Sequence, residues 1–267
     1  MKRKALLGLL AFSGFVYAEE DPVKKIKEQR QMLRETLGLV VEQYIEEGKE
    51  LFKKYGLDKC DFGKGPGVVK GVAAELPKYF PDADRVMSLE SRVYYCIAKS
   101  TGKSFQEVAA EMTKNWQGPG SKPPSDMDKI SFYIVSESRG MKINPSVKHP
   151  KEKEYLKVGE EVFYRRWGAL DFSCAVCHGA DGKRIRLQQT SNYGQKYPKA
   201  QQQDFNIYPI FRAASEATQF AHHRWADCLW QMRLPTLIPG SPLSDALTLY
   251  IYYMLSGRPI EGPSIGR

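Results

Sequence analysis

Along residues 24–55, Leu33, Leu37, Val40, Val41, Tyr44 and Ile45 recur on one side of a 3.6-residue repeat, which predicts an amphipathic helix stopped at Gly56. A loop-rich stretch follows, punctuated by Gly63, Gly65, Pro66 and Gly67. Helical spacing returns over 89–98 and 104–115, with a turn-rich insertion at 118–124. Residues 130–135 form a short apolar run that fits a strand or a helix equally. Between 140 and 153 the chain turns polar and is broken by Pro145 and Pro150, so a domain boundary is placed between 145 and 146. The second half opens with a helical pattern over 152–167, which Gly168 can end, and closes with another over 244–255. No repeat at a fixed period is visible, although both halves begin with an amphipathic helix. Low complexity is limited to Gln201, Gln202 and Gln203.

Composition excludes a disordered chain, since 42% hydrophobic residues in 267 suffice to bury cores. Lys2, Arg3 and Lys4 precede a mostly apolar run over 5–17, and Val16-Tyr17-Ala18 suits a signal peptidase. The pattern predicts a leader over 1–18, cleaved after Ala18, and hence a periplasmic protein. The run is too short to span a bilayer, and no later stretch looks transmembrane. Loss of the three leader cations takes the formal charge from +9 to +6. Basic residues are interspersed with acids, as over 24–54, and no nucleic-acid motif is present. A modest positive balance in an exported protein suits a small anionic substrate or an acidic partner.

The first clear chemistry is Cys174-Ala175-Val176-Cys177-His178. Two thiols at this spacing add to the two vinyl groups of a porphyrin as thioethers, and the adjacent imidazole then reaches the iron. Zinc would need a second ligand pair, which His222, His223 and Cys228 do not supply at a standard spacing. A redox dithiol does not require the following His. The motif therefore predicts one covalent haem c on Cys174 and Cys177, with His178 as an axial ligand. Helix, haem motif, long middle and closing helix, in that order, resemble the class I cytochrome c fold, whose first and last helices cross beside the haem edge.

The second axial ligand separates functions. Met232 is the candidate for a plain electron-transfer cytochrome, whereas Met254 falls inside the closing helix as a core residue. His222 and His223 are weaker rivals, and His149 lies in the linker. Arg233 and Lys183 are candidates for the pocket or the haem propionates, and Trp225 and Trp230 for core or interface. Of five cysteines, the haem takes two and leaves Cys60, Cys96 and Cys228. In an oxidising compartment Cys60 with Cys96, both in the first half, is the simplest disulfide, closing a loop of about 37 residues worth about 3–4 kcal/mol. Cys228 is then the free thiol. It stands at i+4 from Arg224, hence on the same face of a helix. A guanidinium there favours thiolate, the form that ligates iron and attacks sulfur, and can hold an oxyanion through a forked hydrogen-bond pair.

With these residues the chain resembles SoxA, the haem-bearing large subunit of the SoxAX cytochrome of thiosulfate oxidation. The resemblance covers both halves and rests on Cys174-x-x-Cys177-His178, Arg224-x-x-x-Cys228-x-x-Gln231-Met232-Arg233 and, more weakly, Leu89-Glu90-x-Arg92-Val93-x-x-Cys96. It implies a mostly α chain of two class I cytochrome c-like domains, 19–145 and 146–267. It implies Cys228 as second axial ligand and catalytic sulfur, often a persulfide in the family, and Arg224 as the substrate contact. The implied reaction is oxidative conjugation of thiosulfate to a cysteine of a SoxYZ-like carrier protein. Two electrons pass through haem to a SoxX-like small cytochrome subunit and onward to a downstream cytochrome c. The chain departs from many SoxA sequences at Cys60-Asp61-Phe62-Gly63, which lacks a second haem motif. The expectation is a single haem, carried by the C-terminal domain alone. Two other readings stay open on the residues themselves, a plain carrier ligated by Met232 and a binding subunit with a structural haem.

Overall fold

The computed structural model describes residues 22–114, 124–185, 188–196, 205–213 and 215–266. The expected leader over 1–18, residues 118–123 of the insertion read over 118–124, and the Gln201–203 patch lie outside them. The chain divides into two units, 1–36 and 37–267. What is described of the first is helical from Pro22, and the site lies wholly in the second.

Eight α-helices are described: α1 (Pro22–Lys54), α2 (Leu89–Thr101), α3 (Phe105–Thr113), α4 (Asp126–Ser136), α5 (Pro150–Tyr164), α6 (Cys174–His178), α7 (Ala221–Gln231) and α8 (Pro242–Met254). None is long and apolar enough to cross a membrane. The ambiguous run over 130–135 is helical because it follows a capping box. The Ser125 hydroxyl accepts from the Asp128 amide, and the Asp128 carboxylate accepts from the Ser125 amide at 2.9 Å. Pro150 sits in the first turn of α5, where its missing N–H costs nothing. Short strands complete the fold. β1 (Lys78–Phe80) and β2 (Arg85–Met87) form a hairpin, β3 (Arg184–Ile185) pairs with β4 (Gln188–Gln189), and β5 (Ile210–Arg212) lies between antiparallel β6 (Ala217–Gln219) and parallel β7 (Ser264–Gly266).

Two helix crossings share one detail. On α5, a Cβ at Gly159 would meet the Ala246 carbonyl oxygen at 2.0 Å and Tyr250 Cβ at 2.9 Å, so only glycine lets α8 approach this closely. On α1, a Cβ at Gly48 would meet the Lys129 carbonyl oxygen at 1.9 Å and Tyr133 Cβ at 3.1 Å. Both halves thus cross their first and last helices at a glycine set against a carbonyl and a tyrosine four residues on. A continuous buried cluster runs from Phe52 to Ile260, taking residues from both halves. Cys60 and Cys96 are joined in a disulfide, with Cα atoms 5.9 Å apart.

Candidate functional site

Helix α6 is one turn and a half long and presents Cys174, Cys177 and His178 together. The sharp turn that leads to it is set by Gly168, at φ +71°, where a Cβ would strike Leu234 Cδ2 at 2.4 Å. The Ser191 carbonyl fixes the imidazole at 2.8 Å from His178 Nδ1. A carbonyl only accepts, so Nδ1 carries the hydrogen and Nε2 keeps its lone pair, the arrangement that orients a metal-ligating His. Burial pushes His178 down to about 4, only partly offset by that hydrogen bond, so the ring is the neutral ligand form at ordinary pH. Tyr193 supports it twice: its amide donates to the His178 carbonyl at 2.7 Å, and its ring lies over the imidazole with centroids 5.5 Å apart.

Helix α7 supplies the other residues. Arg224 and Cys228 share a face, and both line the cavity that Cys174, Cys177 and His178 line. The helix ends in a Schellman motif: the Leu234 amide reaches the Leu229 carbonyl at 2.9 Å and the Arg233 amide the Trp230 carbonyl at 3.1 Å. That motif puts Arg233 in the left-handed region, at φ +57°, and leaves Met232 at the cap, where it also borders the cavity. The negative charge available at Cys228 raises Arg224 above its ordinary range, against the effect of burial. Its guanidinium makes no hydrogen bond or ion pair among the described residues. Asp227, the nearest acid on α7, accepts instead from Gln219 Nε2. Tyr208 borders the cavity too, and burial pushes its phenol up to about 12.

The cavity encloses about 1020 Å³ of empty space, part of it open to solvent, at the upper end of the roughly 300–1,000 Å³ typical of ligand sites. Phe163, Phe205, Trp225, Leu247 and Ile251 make its apolar walls. These residues fit a covalent porphyrin. The walls suit a flat apolar macrocycle, and His178 lines the cavity with its ring already held at Nδ1. Burial, followed by the charge of Cys228, drives the Cys174 thiol up to about 12, and burial likewise raises Cys177. As thioethers those sulfurs carry no charge to bury, so attachment suits the site better than free thiols do.

Other expected candidates fall elsewhere. His222 is buried, accepts from the Gly240 amide at Nδ1 (3.3 Å) and meets Ser88 Oγ at Nε2 (3.2 Å), away from the cavity. His223 faces Asp128 and Asp227. Arg233 stacks over the exposed Trp230, and Lys183 is exposed near Cys177. Trp225 is buried and donates to Thr248 Oγ1 at 2.9 Å. Met254 packs against the core rather than the cavity. Sequence reasoning missed Ser191, Tyr193 and Tyr208, none of which stands at a motif spacing.

Residues 47–143 match the family described as SoxA/TsdA, cytochrome c domain; such a family implies covalently bound haem c, for which this chain offers the Cys-x-x-Cys-His run at 174–178, outside the matched residues. The chain is 38% identical over 255 residues to the L-cysteine S-thiosulfotransferase subunit SoxA of Hydrogenophilus thermoluteolus, covering 93% of this chain and 90% of that one. It is 30% identical over 258 residues to a protein of the same description from Hydrogenobacter thermophilus, covering 93% and 91%. Among solved structures, the SoxXA of P. pantotrophus shares its fold at a TM-score of 0.62 and 24% identity, over 84% of this chain and 77% of that one.

Proposed function

Because the chain belongs to the SoxA family of L-cysteine S-thiosulfotransferase subunits, we propose that its cavity conjugates thiosulfate oxidatively to a cysteine of a SoxYZ-like carrier protein. The observation that carries this is the shared face of Arg224 and Cys228, opening on the cavity of Cys174, Cys177 and His178. In the balanced reaction the carrier thiol loses its proton, a bond forms between its sulfur and the outer sulfur of thiosulfate, and two electrons depart. Cys174 and Cys177 would hold haem c, with His178 and Cys228 as the residues available to its iron, and it would take up the two electrons one at a time as each is passed on. Cys228 holds the sulfur in transit, in the manner of a persulfide, and Arg224 holds the sulfonate end through its fork. The electrons pass to a SoxX-like small cytochrome subunit and on to a downstream cytochrome c.

The same reading assigns 19–145 and 146–267 as two class I cytochrome c-like domains, haem being confined to the second. The matched glycine crossings of α1 with α4 and α5 with α8 support the duplication. All four histidines lie at 149 or later, which supports one haem. Export to the periplasm, with cleavage near Ala18, places the chain where a Cys60–Cys96 disulfide persists. Met232 borders the cavity as well, but the relatives do not favour a plain carrier ligated by it.

The test is a Cys228→Ser holoprotein assayed with the small cytochrome, the carrier protein and thiosulfate. Conjugation is expected to disappear and the ferric absorption spectrum to change. Normal conjugation by that variant would refute the assignment.

A further inference from the structure

A tetrahedral sulfonate offers three oxygens, and one guanidinium fork satisfies two. Where the apolar walls of the cavity keep water off it, the third needs a protein donor, because an unpaired charged oxygen costs more than a hydrogen bond returns. The candidates are few. Asp227 is an acceptor and already engaged by Gln219, and Tyr193 is committed to His178, its ring lying over the imidazole at 5.5 Å and its hydroxyl oxygen accepting from the Phe205 amide at 3.3 Å. Gln231 borders the cavity from an exposed position.

Tyr208 differs from all of these. It is 8% exposed, and its hydroxyl has no hydrogen-bond partner among the described residues. Its strongest charged neighbours are Arg224 and Cys228, the two residues that hold the substrate in the reading above. Its ring is immobilised by Phe205, at 4.4 Å between centroids and an angle of 26°, and Phe205 packs at 4.5 Å on Trp225, the residue after Arg224 on α7. The hydroxyl is therefore held in fixed relation to the helix that carries the guanidinium and the sulfur. Tyr208 also lines a second, smaller cavity that the buried Glu90 lines as well, so it borders both the proposed anion site and a space with a carboxylate in its wall.

We propose that Tyr208 is a second substrate-contacting residue, its hydroxyl donating a hydrogen bond to the sulfonate oxygen that Arg224 leaves unsatisfied. The proposal rests on the thiosulfate reading of this cavity. It makes the anion site favour oxyanions, since a neutral O–H donates more strongly to an anionic oxygen than to the diffuse charge of a bare sulfide.

The experiment compares parent and Tyr208→Phe holoproteins in the complete assay with the small cytochrome and the carrier. Loss of one hydrogen bond to a charged group is expected to raise the KM for thiosulfate about 10-fold or more, with a much smaller change in kcat and an unaltered ferric spectrum. A parental KM overturns the proposal, and so does a rise accompanied by a changed spectrum, which would mark Tyr208 as structural. If the phenylalanine variant does not accumulate with haem, Tyr208→Leu is read in the same way, and failure of both to load haem also overturns the contact role. Cys228→Ser run alongside separates the two readings. Conjugation that survives in Cys228→Ser refutes the site itself, whereas an inactive Cys228→Ser beside a parental Tyr208→Phe refutes only the hydrogen bond.

Discussion

Arg224 and Cys228 stand one helical turn apart, so the cation proposed to hold the substrate and the sulfur proposed to react with it are positioned by a single element. This makes the charge of Arg224 insufficient without its shape. Arg224→Lys keeps the charge but loses the planar fork, and kcat/KM for thiosulfate is expected to fall about 10- to 100-fold in steady-state assays. A lysine variant at parental efficiency would mean that the fork is not used. At this scale the sequence was informative wherever chemistry imposes a spacing. The Cys-x-x-Cys-His run and the i, i+4 pair are such spacings. Ser191, Tyr193 and Tyr208 were not legible, because their relation to His178 and Arg224 arises only when distant segments fold together.

The elements show which patterns the sequence could carry. The long periodic stretches behind α1, α5 and α8 were readable to within a few residues, since burying one face demands a 3.6-residue repeat. The three-residue strands had too few positions to show any period, and α4 was decided by its cap rather than its apolar run. Capping is also where α5 gains a pH dependence. Burial opposes charge on Glu152, but the Tyr79, His149 and Lys148 amides and the Ser146 hydroxyl donate to it at 2.9–3.0 Å and hold its carboxyl below the usual range. A carboxyl lowered on folding stabilises the native state above its unfolded pKa, and that stability is lost as pH falls through the folded pKa. Thermal unfolding of Glu152→Gln is thus expected to show a loss of about 1–3 kcal/mol at neutral pH and a flatter acid limb than the parent. Parallel curves for the two proteins would argue against it.

Across the whole molecule, the two halves are joined through buried polar groups as well as apolar ones. Asp245, fully buried on α8, accepts from Arg85 Nη2 and Ser91 Oγ, both at 2.6 Å, and from the Ser88 amide at 3.0 Å. Asp245→Ala leaves those donors without their carboxylate and is expected to cost about 3–5 kcal/mol in denaturant unfolding. A loss under about 1 kcal/mol would show that water replaces the carboxylate readily. The linker between 140 and 153 read as a domain boundary because Pro145, Pro150 and polar residues interrupt the helical pattern. What the pattern hid is that Gly140 and Ile143 donate backbone hydrogen bonds to Ile260 and Arg258, tying this stretch to the chain's end. The duplication of the two helix crossings was equally hidden, since it is carried by Gly48 and Gly159 at unequal spacings from their partners. The most direct measurement is the mass of the intact holoprotein after incubation with thiosulfate and an oxidised acceptor in the absence of carrier, followed by peptide mapping. One haem and a thiosulfonate-derived adduct confined to the peptide of Cys228 are expected. A second haem, or an unmodified Cys228 in a protein that still conjugates the carrier when it is supplied, would contradict the account.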